Sequence, residues 1–236
     1  MLTWCTPIAR FLWLPVLHGD PQSLTGPLWT SWRISPAVAV VTFGLAVAYL
    51  AVTGPLNRRR PGAEQRPVRP GQVTAFLAGC AVYLLALGPP LEDWAGLLLA
   101  AHMVQHLLLM LLVVPLWLIG TPAWFLRPLL RWRTVRLAGY ALTRPVCAFA
   151  VSAAVFALWH FPVFYEASLR SQSVHVVQHL SFLGAAILGW WPLLGPLPEW
   201  PRLPLPLQTL YLFFQTLPGM FVAAFITFAD PGLYAP

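Results

Sequence analysis

Six apolar stretches, at residues 36–54, 72–89, 96–120, 145–163, 174–195 and 207–229, constrain this chain more than any other feature. Crossing about 30 Å of hydrocarbon takes roughly 20 residues of helix, and each stretch approaches or exceeds that length. Within hydrocarbon every backbone N–H and C=O must find a partner in the protein, so only helices and closed barrels can cross. The stretches are continuous runs of Leu, Ala and Val without the alternation of a barrel strand. The expected fold is therefore all-α, a polytopic transmembrane bundle of six helices. Composition points the same way. Of 236 residues, 58% are hydrophobic and 9% charged, whereas a soluble domain carries about 25% charged residues. Residues 36–236 read as one transmembrane domain. Residues 1–35 read as an extracytoplasmic, interfacial segment, because the apolar run Phe11 to Leu17 is short, broken by Pro15 and without a small-residue cleavage site.

The net charge of +7 is the balance of fourteen arginines, with no lysine, against seven acidic residues, and most of the arginines cluster in loops between the apolar stretches. This is a topology signal, and nucleic-acid binding is disfavoured. Arg58, Arg59, Arg60, Arg66 and Arg69 follow the first stretch. Arg127, Arg131, Arg133, Arg136 and Arg144 follow the third, and Arg202 follows the fifth. These three loops share one side, which the positive-inside rule makes cytoplasmic. The other side holds Arg10, Arg33 and Arg170 with Asp20, Glu92, Asp93, Glu166 and Asp230. Both termini are accordingly expected outside.

Cys5, Cys80 and Cys147 are widely separated, which argues against a disulfide framework or a thiolate metal site. Cys80 and Cys147 fall inside apolar stretches and read as small buried hydrophobes. Pro115 and Pro218 should kink their helices, with neighbouring helices satisfying the freed carbonyls. Trp29, Trp32 and the pair Trp190-Trp191 fit interfacial belts.

The histidines carry the chemistry. The third stretch contains His102-Met-Val-Gln-His106 and the fifth His175-Val-Val-Gln-His179, one H-x-V-Q-H pattern used twice. Helical residues four apart lie one turn apart on one face, so each pair can aim two imidazoles at a common centre. The Gln shares that stripe and the Val preceding it points away. Both stretches start from the outer side, as judged by the arginines. His160, in Trp159-His160-Phe161-Pro162, closes the fourth stretch on that side too. Five histidines from three helices are thus expected in the outer half of the membrane, where polar side chains are costly and mark function. His18 lies in a loop. A single intramembrane histidine can simply bridge helices by a hydrogen bond of about 0.6–2 kcal/mol. Two matching pairs at one depth favour a metal.

Imidazole suits copper, zinc, iron and nickel alike. The pattern lacks the Glu of an H-E-x-x-H zinc protease, so proteolysis is disfavoured. It also lacks the Glu-x-x-His of di-iron bundles. Haem b, held by axial histidines from two helices in an electron-transfer protein, competes with a metal ion. An outward all-histidine site with Met103 nearby tilts the choice to copper. A structural scaffold, with histidines bonding neighbouring helices, is the remaining alternative.

The stretch Ala101-His-Met-Val-Gln-His-Leu-Leu-Leu-Met110, with Leu118-Ile-Gly-Thr-Pro122 after it, resembles the caa3-type cytochrome c oxidase assembly factor family (CtaG-like). So do Trp159-His-Phe-Pro162, Val174-His-Val-Val-Gln-His179 and Gly189-Trp-Trp-Pro192, and the resemblance runs over roughly 30–234. It implies a multi-pass protein of the bacterial plasma membrane, not an enzyme, that assists maturation of the copper-containing oxidase. Oxidase subunits or copper chaperones would be its partners. His102, His106, His160, His175 and His179 fall on the family's histidine positions and would bind the metal. Family members commonly continue past the Leu233-Tyr234 found here with a further hydrophobic helix and a D-Q-x-x-G-G stretch, whereas the sequence given ends at Pro236.

Overall fold

A computed structural model of the chain describes residues 35–58, 68–95 and 99–228. The N-terminal segment with His18, Trp29 and Trp32 lies outside the described residues, as do Arg59, Arg60, Arg66 and Asp230.

Among the described residues all regular structure is helical. The main helices are α1 (Pro36–Thr53), α2 (Pro70–Ala86) and the short α3 (Leu91–Ala95). Next comes α4, which runs from Leu99–Leu108 through a π-helical turn at Leu109–Val113 into Val114–Gly120. They are followed by α5 (Arg133–Leu142), α6 (Pro145–Trp159), α7 (Pro162–Arg170), α8 (Gln172–Leu194) and α9 (Leu205–Phe228). Four of these begin at proline, namely Pro36, Pro70, Pro145 and Pro162. Proline suits a first helical turn because its φ is already helical and its missing N–H would have had no partner there.

Six helices stand where six crossings were expected, but they are unequal. Segments Pro36–Asn57, Ala100–Gly120, Ser173–Leu194 and Leu205–Phe228 are long and apolar enough to cross a membrane. α2 has 17 residues and α6 has 15, so they rise about 26 and 22 Å, short of a full hydrocarbon thickness. α6 becomes a fifth candidate only together with α5, from which it is bent by 81°. Among the described residues, four or five helices reach spanning length.

Burial separates a centre from a rim. In the spanning windows, 39% of Ala100–Gly120 and 44% of Ser173–Leu194 is buried, against 11% for Pro36–Asn57 and 6% for Leu205–Phe228. α4 and α8 therefore form the middle of the bundle, and α1 and α9 flank it with faces suited to lipid. α8 packs most extensively on α6, and the end of α4 packs on α2. The central core is Val114, Leu118, Ala186, Trp191 and Leu197, with a second cluster at Ala86, Leu109 and Val113.

The kink expected at Pro115 takes the form of the π-helical turn just before it. Val114 N–H bonds to Leu109 C=O, five residues back. In that register Pro115 would have donated to Met110 C=O but has no N–H. Trp190 Nε1 donates to Met110 O at 2.8 Å instead, so a neighbouring helix completes α4.

That bond corrects the reading of Trp190-Trp191 as an interfacial belt. Trp190 completes α4, and Trp191 is 6% exposed in the central core against Trp200. Cys80 is buried as expected, whereas Cys147 is exposed. The turn of α6 that carries Cys147 also exposes Val146, so its apolarity there suits lipid and not a core.

Candidate metal centre

The two H-x-V-Q-H motifs face each other from α4 and α8. Each intervening Val points outward, Val104 and Val177 being exposed. Within each helix the pair is close: His106 Nε2 and His102 Nε2 are 2.8 Å apart, and His179 Nε2 and His175 Nε2 are 2.9 Å apart. Between helices, the rings of His102 and His175 stack with centroids at 5.3 Å, and His106 meets His179 at 4.8 Å. Four of the five predicted histidines thus share one set of ring contacts.

His160 sits beside them. It caps the C-terminus of α6, its ring packs on Phe156 at 4.4 Å, and Nδ1 is 2.7 Å from Phe156 O. That contact assigns the proton to Nδ1 and the lone pair to Nε2. Phe182, 1% exposed, touches both His106 (4.8 Å) and His160 (6.2 Å). Met103 is half-buried.

Two imidazole nitrogens 2.8 Å apart cannot both point protons at each other. One donates to the other's lone pair, or one cation takes both lone pairs. Ligands about 2.0 Å from a metal lie about 2.8 Å apart at right angles and about 3.3 Å apart in a tetrahedron. Each pair therefore has the spacing of two ligands on one ion. The second requirement is a partner for the opposite ring nitrogen, which fixes the tautomer of a liganding histidine. His160 has one in Phe156 O, while His106 Nδ1 is buried with no partner. Each pair offers an ion two donors, but among the described residues no group of three or more His, Cys, Asp or Glu closes into a single cage.

Surrounding polar groups distinguish the two motifs. Gln105 is fully buried and its Nε2 donates to Ala86 O at 2.9 Å and to Glu92 Oε2 at 2.6 Å. This ties α4 to the end of α2 and to α3. Gln178, its counterpart, is 3% exposed, and its Oε1 has no partner. On the other flank Trp159 Nε1 donates to Ser181 Oγ, which donates to Gln178 O, both at 2.7 Å. Glu92 is exposed as a residue, but its carboxylate end is desolvated against the helices. This desolvation raises its pKa; the Gln105 hydrogen bond opposes the shift and the Asp93 charge adds to it.

Phe182 and Glu92 are the additions to the expected set. Phe182 lies three residues after His179, so helical periodicity places it on the same stripe. Glu92 reaches the motif from the short α3, whose packing against α4 no sequence period encodes.

The family described as cytochrome c oxidase caa3 assembly factor (Caa3_CtaG) matches residues 47–236, which include all five histidines. No curated protein and no solved structure matches the chain.

Proposed function

Because this chain belongs to the caa3-type cytochrome c oxidase assembly factor family, we propose that it binds a copper ion through its facing histidine pairs and assists delivery of that ion to the oxidase. Copper is here the cargo. His102 and His106 on α4 and His175 and His179 on α8 provide the imidazoles, and His160 is a fifth donor on the neighbouring helix. The observation that carries this reading is the Nε2 spacing of 2.8 and 2.9 Å in two motifs that face each other. Imidazole is a ligand common to both copper oxidation states. A site built from two halves, neither of them closed, favours exchange over permanent retention. A carrier needs that property and a resident cofactor does not.

In this reading the chain crosses a bacterial plasma membrane six times, with α2 and α6 as the short crossings and both termini outside. The site lies in the outer half of that membrane, and the protein carries out no catalytic step. Its partners are cytochrome c oxidase subunits or a copper chaperone. Haem b has less support, because rings in contact across α4 and α8 leave no gap for a macrocycle between axial ligands.

The test is metal content. Purified protein is loaded with copper, freed of excess ion and assayed for bound copper, in parallel with a His106→Ala, His179→Ala double variant. Each substitution breaks one pair, so bound copper should fall to background. Unchanged stoichiometry would falsify the copper reading.

A further inference from the structure

The two histidine pairs differ in how they are reached. His102 and His106 are 4% and 6% exposed, whereas His175 and His179 are half-buried. These two line a cavity of about 320 Å³ at the Ser35 end of α1, walled mainly by α1, α2 and α8, with Glu92 of α3 and Leu109 of α4 completing it. The walls are mostly apolar, with Val38 of α1 and Tyr83 of α2 among them, and Glu92 is the acidic residue that lines the space. Glu92 also holds Gln105, the residue before His106, at 2.6 Å. One carboxylate thus meets both the cavity beside the α8 pair and the motif carrying the α4 pair.

A cation leaving water for a site among apolar helices is strongly disfavoured unless charged or polar ligands replace its hydration shell stepwise. Carboxylate and imidazole are both ligands that a divalent copper ion accepts. We propose that the cavity between α1 and α8 is the route by which copper reaches the site. Glu92 is its first ligand, His175 and His179 receive it, and His102 and His106 form the inner, buried half. This rests on the copper reading above and adds a direction to it. The α8 pair exchanges metal with the exterior, and the α4 pair is reached only through it. Glu92 is a capture residue and Gln105 its positioning partner.

Two variants and two measurements test the route in the full-length protein in detergent or nanodiscs. Val38→Trp fills the cavity from the α1 wall. Glu92→Gln removes the charge and keeps a carbonyl oxygen to accept from Gln105. The first measurement needs no metal: diethylpyrocarbonate modifies accessible imidazoles, and mass spectrometry reads each histidine. In the wild type, His175 and His179 should react before His102 and His106. Val38→Trp should slow the first two, and Glu92→Gln should leave them unchanged. The second is the rate of Cu2+ uptake. Val38→Trp and Glu92→Gln should both slow it with the final stoichiometry kept, the latter by about tenfold, as expected for loss of a steering charge in an apolar cleft. Equal reactivity of all four histidines, or no effect of Val38→Trp on either measurement, overturns the route. Copper uptake at the wild-type rate in Glu92→Gln overturns the role of Glu92. A wild type that takes up no copper, with the reactivity order intact, overturns the copper reading itself and with it the cargo of this route.

Discussion

Gln105 and Gln178 occupy the same position of the same motif, and replacing each with Leu should have different consequences. Gln105→Leu removes two hydrogen bonds, to Ala86 O and to Glu92 Oε2, each worth about 0.6 kcal/mol and at most about 1.7 kcal/mol between membrane helices. The Ala86 carbonyl is then left without that donor. Against this, the Gln105 Oε1, buried without a partner, is removed as well and offsets part of the loss. The net cost is about 1–2 kcal/mol. At 2–4 °C per kcal/mol for a chain of this length, the melting temperature should fall by roughly 2–8 °C. Gln178→Leu removes a side chain whose buried Oε1 has no partner, so it should be neutral or raise the melting temperature by up to about 3 °C. Thermal unfolding of the two variants in one detergent, followed by tryptophan fluorescence, compares them directly. A fall in Gln178→Leu equal to or larger than that in Gln105→Leu would refute the assignment of Gln105 as the anchor of α4.

Two further outcomes concern how α4 is built. A Cβ on Gly120 would lie 2.6 Å from Phe76 N and 2.8 Å from Gln72 O, backbone atoms of α2 that cannot swing aside. Gly120→Ala should therefore cost about 1–3 kcal/mol, read as a clear drop in melting temperature; an unchanged value would show that α2 and α4 do not meet this closely. Trp190→Phe keeps an aromatic ring but leaves Met110 O without its donor. It should cost about 1–2 kcal/mol, checked by faster amide exchange around the π-helical turn than in the wild type, and equal exchange would refute the role given to Trp190.

Much of the fold is legible along the chain, for local reasons. Apolar length and flanking proline or glycine place α1, α4, α8 and α9 within a few residues of where they fold, because a helix in hydrocarbon has no other partner for its backbone. The i, i+4 spacing of His102 with His106 and of His175 with His179 puts each pair on one face whatever surrounds it. Lengths are less legible. A stretch such as 145–163 stays apolar beyond the point where α6 ends at Trp159 and His160 turns the chain, so composition overstates the crossing.

Which side of each helix meets protein is a different matter. In water a polar face and an apolar face mark outside and inside, but in lipid both sides are apolar, so sequence cannot assign Cys147 to the surface or Trp191 to the core. Motif identity is equally silent about surroundings. Gln105 and Gln178 are indistinguishable in sequence, and only the packing of α2 and α3 against α4 gives the first its partners. The amino-acid sequence alone determined that this chain is a helical membrane protein with two matched histidine pairs. Tertiary structure alone decided that the pairs face each other, that His160 stands beside them against Phe182, and that one pair opens to a cavity while the other is buried. The first set follows from bonds and periods within single helices. The second depends on how helices with uniformly apolar surfaces choose neighbours, and that choice rests on a few close contacts such as Gly120 on Phe76 and Trp190 on Met110.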